Sequence, residues 1–485
     1  MTDLKLKNKD LLKTGSYING TWVDTDKTFN VVNPANGKVL AKISDCGAGE
    51  TQQAIEAAQK AFPEWAAKTA KERAALLKKW YQLIMDNKED LGAIMTAEQG
   101  KPLKEAIGEI AYGAAFVEWF AEEGKRLYGD IIPNTVPGTR IATIKQPIGV
   151  CAMITPWNFP SAMITRKMPP ALAAGCTIVA KPAEATPLSA LALAVLAEQA
   201  GIPKGVINIV TTDDSATVGK TLCDSDIVRK LSFTGSTKVG KILMEQCAQT
   251  MKKLSLELGG NAPFIVFDDA DIDAAVDGAI AGKFRNCGQV CIAPNRFYVQ
   301  DSVYEEFTVK LADKIKHVTA GDGFDEESDV GPLINMAGLE KVEEHIQDAV
   351  DKGAKVMVGG KRHEKGHSFF QPTLIRDMSD DMKIAKEETF GPVAPLFRFK
   401  DVDDVIHKAN DTIYGLASYF YARDIGRVWK VAEALEYGMV GINSGMISTE
   451  VAPFGGVKQS GIGREGSKYG MDEFVEIKYM LMGGI

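Results

Sequence analysis

From Ile148 onward, short apolar runs alternate with helical stretches, and this alternation restricts the chain to an α/β architecture. The runs CAMIT, GCTIVA, GVINIV and RKLSF have the length and unbroken apolarity of strands covered on both faces, and SALALAVLAEQA supplies a crossover helix between two of them. Strands separated by helices pair in parallel, because the crossover carries the chain back to the edge it left. The helix over Leu188–Ala200 stops at Gly201-Ile202-Pro203, and the next strand starts at Val206, so the punctuation agrees with the pattern. A second alternating block opens near Pro263 with FIVFDDADIDAAVDGAIAGKF and runs through KVMVGG to the segment around Phe390. The 485 residues exceed what a single hydrophobic core serves, so the blocks are read as two α/β domains.

Between Thr51 and Leu103, apolar residues recur at three- and four-residue spacing in TQQAIEAAQKAF and KERAALLKKWYQLIMDN, which reads as two amphipathic helices. The stretches TRIATIKQPIG, near 139–149, and EFVEIKYM, near the end, alternate like exposed strands, whose unpaired edges invite a partner chain.

Charge argues against nucleic acid as a partner: the net charge is −8, and no run of Lys or Arg could track a phosphate backbone. The first residues, MTDLKLKNKDLLKTG, lack the apolar core of a secretory signal and the Arg/Ser richness of a transit peptide. Pro169 to Ala180 is the longest nearly apolar stretch, well short of the ~20 residues that span a bilayer, so no membrane partner is expected. Seven scattered cysteines suit a reducing cytoplasm better than a disulfide framework, and no CxxC pair points to a metal.

The segment Thr234-Gly235-Ser236-Thr237-Lys238-Val239-Gly240-Lys241-Ile242 nearly matches a GxxxxGK[ST] phosphate loop. Ile242 stands where that loop needs a hydroxyl for Mg²⁺, which rejects an ATPase. A strand, a glycine turn and a helix N-terminus remain, able to face a pyrophosphate or to serve as a plain turn. No GxGxxG follows any strand, so the common dinucleotide fingerprint is absent. Cys291, in FRNCGQVC, is open to two readings, a buried small hydrophobe or a nucleophile, and none of the five histidines lies near it in sequence. Glu257, in LSLELGGN, follows an apolar run, where burial would raise its pKa and suit it to general-base work; a helix cap or ion pair is the alternative.

Taken together, the segments resemble the aldehyde dehydrogenase superfamily, most closely its succinate-semialdehyde dehydrogenase branch, over almost the whole chain. The resemblance rests on Ile154-Thr155-Pro156-Trp157-Asn158-Phe159-Pro160, Lys181-Pro182-Ala183-Glu184, Phe233-Thr234-Gly235-Ser236-Thr237, Glu257-Leu258-Gly259-Gly260, the segment ending at Cys291, and Glu387-Glu388-Thr389-Phe390-Gly391-Pro392. It implies that Cys291 attacks the aldehyde, that the Asn158 side chain and the Cys291 N–H hold the oxyanion, and that Glu257 activates water to hydrolyse the thioester. Retention of the acid at 257 implies a free carboxylate product in place of an acyl-CoA.

The same resemblance assigns the cofactor wall to Ile154 and Trp157, the adenosine ribose to Lys181 and Glu184, the pyrophosphate to Gly235 and Ser236, and the nicotinamide end to Glu388 and Phe390. A carboxylate at 184 would repel a 2′-phosphate, and relatives that prefer NADP carry a small hydroxyl residue there, so NAD is expected ahead of NADP. Arg166, Arg285 and Ser448 match the positions that grip the substrate's far carboxylate, a task suited to the planar guanidinium. Glutarate semialdehyde, one methylene longer than succinate semialdehyde, remains the alternative substrate. Ala293 stands where some relatives carry a second cysteine for a disulfide switch, so that switch should be missing.

The family fold implies a Rossmann-like NAD(P)-binding domain over 1–121 and 143–256, an α/β catalytic domain over 257–455, and an oligomerisation extension over 122–142 and 456–485. A homodimer or homotetramer is expected.

Overall fold

The computed structural model describes residues 4–485. The parallel sheets expected from the alternating runs are present. Five parallel strands, Val150–Ile154, Thr177–Lys181, Ile207–Ile209, Val228–Thr234 and Lys253–Glu257, form the centre of an eight-stranded sheet. Numbered along the chain, their spatial order is 3-2-1-4-5. Both faces are covered: Cys151 and Met153 join one core, whereas Val150, Ala152 and Ile154 join another, as the two-residue period of a strand requires. Ser16–Ile18 and Thr21–Val23 extend one edge, and Gly461–Ile462 adds antiparallel to the other.

A second sheet of seven strands runs in the order Lys355–Val358, Thr373–Met378, Val393–Phe399, Pro294–Gln300, Ala262–Val266, Ala417–Tyr421, Met439–Ile442. All its pairings are parallel except that of Lys355–Val358. In the third sheet, Val475–Gly483 pairs antiparallel with Thr139–Pro147 from Val475↔Pro147 to Gly483↔Thr139, and Ile131–Ile132 lies on the far side. No helix among the described residues is long and apolar enough to cross a membrane.

One expectation needs correction. The region read as two helices holds Ala48–Ala67, Ala70–Asp86 and Lys88–Gln99, and Leu103–Glu123 follows directly. The breaks are local: a capping box between Thr69 and Glu72 restarts the chain, Asn87 separates the second helix from the third with its side-chain amide donating to the Leu83 carbonyl at 2.8 Å, and Gly100 at φ 92° ends the third in a left-handed cap. The stretches 122–142 and 456–485 overlap neighbouring elements. The expected start at 122 falls inside Leu103–Glu123, and the boundary at 142 falls inside Thr139–Pro147. Within 456–485, Gly461–Ile462 belongs to the first sheet through Leu256↔Ile462, which leaves Val475–Gly483 as the segment's part of the third sheet.

Candidate active site

In an open parallel sheet the crevice lies beyond the strands' carboxyl ends, where the chain order reverses. Here that is the gap between Val150–Ile154 and Val228–Thr234, which are direct neighbours in the sheet. Ile154 leads from the first of these into Pro156, Trp157 and Asn158; Thr234 leads from the second into Gly235 and Ser236; Glu257 closes the adjacent strand. Sequence stretches far apart in the chain therefore converge because the crossover topology gathers their ends.

The cysteine segment approaches from the other sheet through a strained turn. Asn286, Cys287 and Gly288 all adopt left-handed backbone, with φ 49°, 56° and 73°. This is costly for a non-glycine residue and persists only where surrounding bonds enforce it. Glycine at 288 is required twice over, since a Cβ there would sit 2.2 Å from the Gly391 carbonyl oxygen. The Glu105 carboxylate accepts from the Asn286 N–H at 2.9 Å, and the Asn286 side-chain amide donates to the Asn158 carbonyl at 3.0 Å. Asn158 is buried; its Nδ2 donates to the Gln289 carbonyl at 3.0 Å, which uses one of its two hydrogens.

Cys291 is partly buried, whereas the other six cysteines are fully buried. It lies where two cavities meet, one of about 320 Å³ and one of about 260 Å³, and among the described residues is the only one lining both. Burial of the thiol pushes its pKa up to about 12, with Arg166 and Arg285 opposing and Glu388 and Glu257 reinforcing. Glu257 lines neither cavity. Its side chain is buried, Oε2 has no hydrogen-bond partner among the described residues, and burial followed by the nearby Glu465 holds its pKa well above the usual carboxylate value. A carboxyl kept in that state is a base that ionises late.

The larger cavity gathers Arg166, Arg285 and Ser448 with Tyr112, whose hydroxyl is hydrogen-bonded to the Ser448 hydroxyl. The two guanidiniums differ. Arg166 is buried, stacks 3.8 Å from the centre of the Phe454 ring and lies 2.9 Å from a Glu465 oxygen whose partner oxygen binds Lys167. Arg285 is half-buried over Phe159 and has no carboxylate within 4.0 Å among the described residues; the Nε of each arginine lacks a hydrogen-bond partner there, so the Glu465 ion pair is what sets them apart. An incoming anion therefore meets one charge already shared and one still available.

The smaller cavity holds Trp157, Gly235, Ser236, Glu388 and Phe390. Trp157 packs edge-on against Phe390 with ring centres 5.6 Å apart. Glu388 accepts from the Gly260 N–H at 3.1 Å, and burial pushes its pKa up to about 7. A Cβ on Gly259 would stand 3.1 Å from the Glu388 carboxylate, and one on Gly235 would strike the Phe233 ring at 2.4 Å. Beyond Gly235, the Ser236 hydroxyl caps the helix Thr237–Ala248 by accepting from the Val239 N–H. A buried Thr234 hydroxyl on the same wall has no hydrogen-bond partner among the described residues. A cleft with an aromatic wall, an unpaired hydroxyl and a capped helix N-terminus fits a dinucleotide. Ile154, Lys181 and Glu184 do not line this cavity. Lys181 ends the neighbouring strand with its Nζ 3.4 Å from Glu184 Oε2, which also accepts from the Ser215 hydroxyl.

Sequence reasoning missed Gln99, Lys101, Glu105, Glu109, Asn286 and Glu465. Each is a polar residue in an ordinary amphipathic or turn context. Only Asn286, a residue type tolerant of left-handed backbone beside a glycine, carried a readable signal.

With the geometry in place, comparison with known proteins identifies the class. The chain belongs to the aldehyde dehydrogenase family, whose model matches residues 22–480. That makes it an oxidoreductase acting on small aldehydes with NAD(P). It is 60% identical over 482 residues to the NADP(+) succinate-semialdehyde dehydrogenase of Escherichia coli (strain K12), covering 99% of this chain and 100% of that one. It is likewise 60% identical over 484 residues to a glutarate-semialdehyde dehydrogenase of Pseudomonas aeruginosa, at 99% and 100% coverage. The crystal structure of a succinate-semialdehyde dehydrogenase from Burkholderia pseudomallei matches with a TM-score of 0.98 at 59% identity, covering 99% and 100%.

Proposed function

We propose that the chain oxidises succinate semialdehyde to succinate through a covalent intermediate on Cys291, with NAD preferred to NADP. The observation that carries this reading is the position of Cys291 as the one residue common to two cavities, one with cationic groups and one shaped for a dinucleotide. Cys291 first gives up its thiol proton to water; the thiolate then adds to the aldehyde carbon, and the oxyanion so formed is held by the free Asn158 amide hydrogen and the Cys291 N–H. Loss of one such donor costs about 10²–10³ in rate elsewhere. A dinucleotide held by Trp157, Gly235, Ser236, Glu388 and Phe390 would supply the hydride acceptor that takes the Cys291 adduct to a thioester. Glu257 then takes a proton from water; the hydroxide adds to the thioester, the C–S bond breaks, and thiolate and carboxylic acid separate.

The far carboxylate is held by Arg285 and Arg166 with Ser448, a recognition that suits any short ω-carboxy aldehyde. The names of the Escherichia coli and Burkholderia relatives favour the four-carbon substrate, and that of the Pseudomonas relative keeps glutarate semialdehyde as the second reading. Glu184 supports NAD, since a carboxylate accepts from ribose hydroxyls and repels a 2′-phosphate. The NADP designation of the Escherichia coli relative makes this the reading's most exposed point.

We take the first sheet as the cofactor domain, the second as the catalytic domain and the third as an oligomerisation extension. Ile477, Tyr479 and Leu481 alternate along Val475–Gly483 and are 55–68% exposed, an apolar stripe that supports a dimer or tetramer. Seven free thiols support a reducing cytoplasm. Steady-state kcat/KM for succinate semialdehyde, glutarate semialdehyde and butanal, each with NAD and NADP, tests the proposal. A strong preference for the carboxylated aldehydes is expected, and comparable rates on butanal would overturn the substrate reading.

A further inference from the structure

We propose that Gln99 and Lys101, in the turn between Lys88–Gln99 and Leu103–Glu123, are positioning residues that set the oxyanion donor of Asn158. The inference rests on the roles given above to Cys291 and Asn158. Gln99 lines neither cavity and acts on Asn158 from behind; Lys101 borders the larger cavity, but its ammonium is taken up by Glu109 and the Asn158 carbonyl.

Lys101 and Glu109 form an ion pair at 2.6 Å in which each side chain is 1% exposed. The pair holds both ends of the loop that carries Asn158. Lys101 Nζ donates to the Asn158 carbonyl at 2.8 Å, and Glu109 Oε1 accepts from the Ser161 and Ala162 N–H groups at 3.1 Å each. Buried charges so fully bonded resist displacement, because any movement leaves a desolvated ion without a partner.

Gln99 fixes the second contact. Its Nε2 donates to Asn286 Oδ1 at 2.9 Å, and its Oε1 accepts from the Lys101 N–H at 3.0 Å. With Oδ1 committed, the Asn286 amide must present its Nδ2 hydrogens to the Asn158 and Gln289 carbonyls, at 3.0 and 3.3 Å. A turned-over Asn286 amide would set oxygen against those oxygens. The Asn158 carbonyl thus receives two donors, both governed from one turn, and Asn158 Nδ2 donates to the same Gln289 carbonyl. The turn itself is seated: Gly100 has φ 92°, and a Cβ there would stand 2.8 Å from both Pro34 and Pro332.

Three rates test this in Gln99→Leu: oxidation of succinate semialdehyde, dinucleotide-free hydrolysis of p-nitrophenyl acetate, and alkylation of Cys291 by iodoacetamide. The first two pass through an oxyanion and the third does not. The expected result is a fall in kcat of about 10- to 100-fold, the scale of a small misplacement, with KM little changed. Ester hydrolysis should fall in parallel and alkylation should stay at the parent rate. In an Asn158→Ala background the same substitution should cost nothing further, because the group it positions is gone. Should Gln99→Leu not fold, Lys101→Met with Glu109→Gln serves instead, since it removes both charges together.

Equal loss in the Asn158→Ala background, or alkylation slowed as much as oxidation, would overturn the proposal while leaving Cys291 as nucleophile. Oxidation that survives Cys291→Ala would overturn the underlying reading, and the proposal with it.

Discussion

Replacing Arg285 by Met separates substrate recognition from chemistry. The substitution keeps the length that packs over Phe159 and removes a guanidinium with no carboxylate partner among the described residues. A hydrogen bond to a charged group contributes about 1.5–3 kcal/mol, and a forked guanidinium makes two to one carboxylate. The cleft is open to water, so screening reduces the sum, and about 2–4 kcal/mol is expected. At 1.4 kcal/mol per tenfold, kcat/KM for succinate semialdehyde should fall about 30- to 700-fold. The loss should appear mainly in KM, because the carboxylate is bound alike in ground and transition states. Butanal, which has no carboxylate, should lose little. The assay is NADH formation at 340 nm, with both aldehydes and saturating NAD. Equal losses on both substrates would refute the reasoning, as would a loss confined to kcat. Arg166→Met should behave differently: Glu465 loses one of its two cations, so stability and butanal turnover should fall as well.

The raised pKa of Glu257 gives a pH signature. The base works only when ionised, so turnover should fall as pH is lowered through a range well above that of an ordinary carboxylate, and Glu465→Gln should move this limb to lower pH by removing one of its causes. A limb at the usual carboxylate pH in the parent enzyme would contradict the assignment. Glu184→Ser should shift the ratio of kcat/KM for NADP over NAD upward by about tenfold or more, as expected from removing a like-charge repulsion; an unchanged ratio, measured with both cofactors, would mean that Glu184 faces away from the ribose.

The strands were legible because burial on both faces leaves no polar alternation: VCAMI, TIVAK and APFIV are buried throughout. The helical region before them was legible in type but not in number, since the break that sets off Lys88–Gln99 is the single residue Asn87, shared by the ends of two helices. The cofactor cleft was invisible to its usual motif, because it is made at the reversal of a 3-2-1-4-5 order and not by a GxGxxG loop. Glu257 was flagged by its own apolar flank, which the buried side chain and its raised pKa match, whereas Cys291 stayed open between two readings until whole segments were matched to a family. Lys101 and Glu109 could not have been singled out, because a charged pair eight residues apart across a turn and a helix looks the same whether solvated or buried. The unequal standing of Arg166 and Arg285 depends on Glu465, some 300 residues later than Arg166, which no local pattern reports.

The most direct test of the covalent mechanism is the intact mass of Glu257→Gln after mixing with succinate semialdehyde and NAD. With attack and hydride transfer intact and hydrolysis lost, the enzyme should release about one NADH per active site, in keeping with a stalled acyl-enzyme, and should gain the mass of one succinyl group, mapped to the peptide bearing Cys291. An unmodified mass with steady turnover, or an adduct on any other residue, would contradict the account.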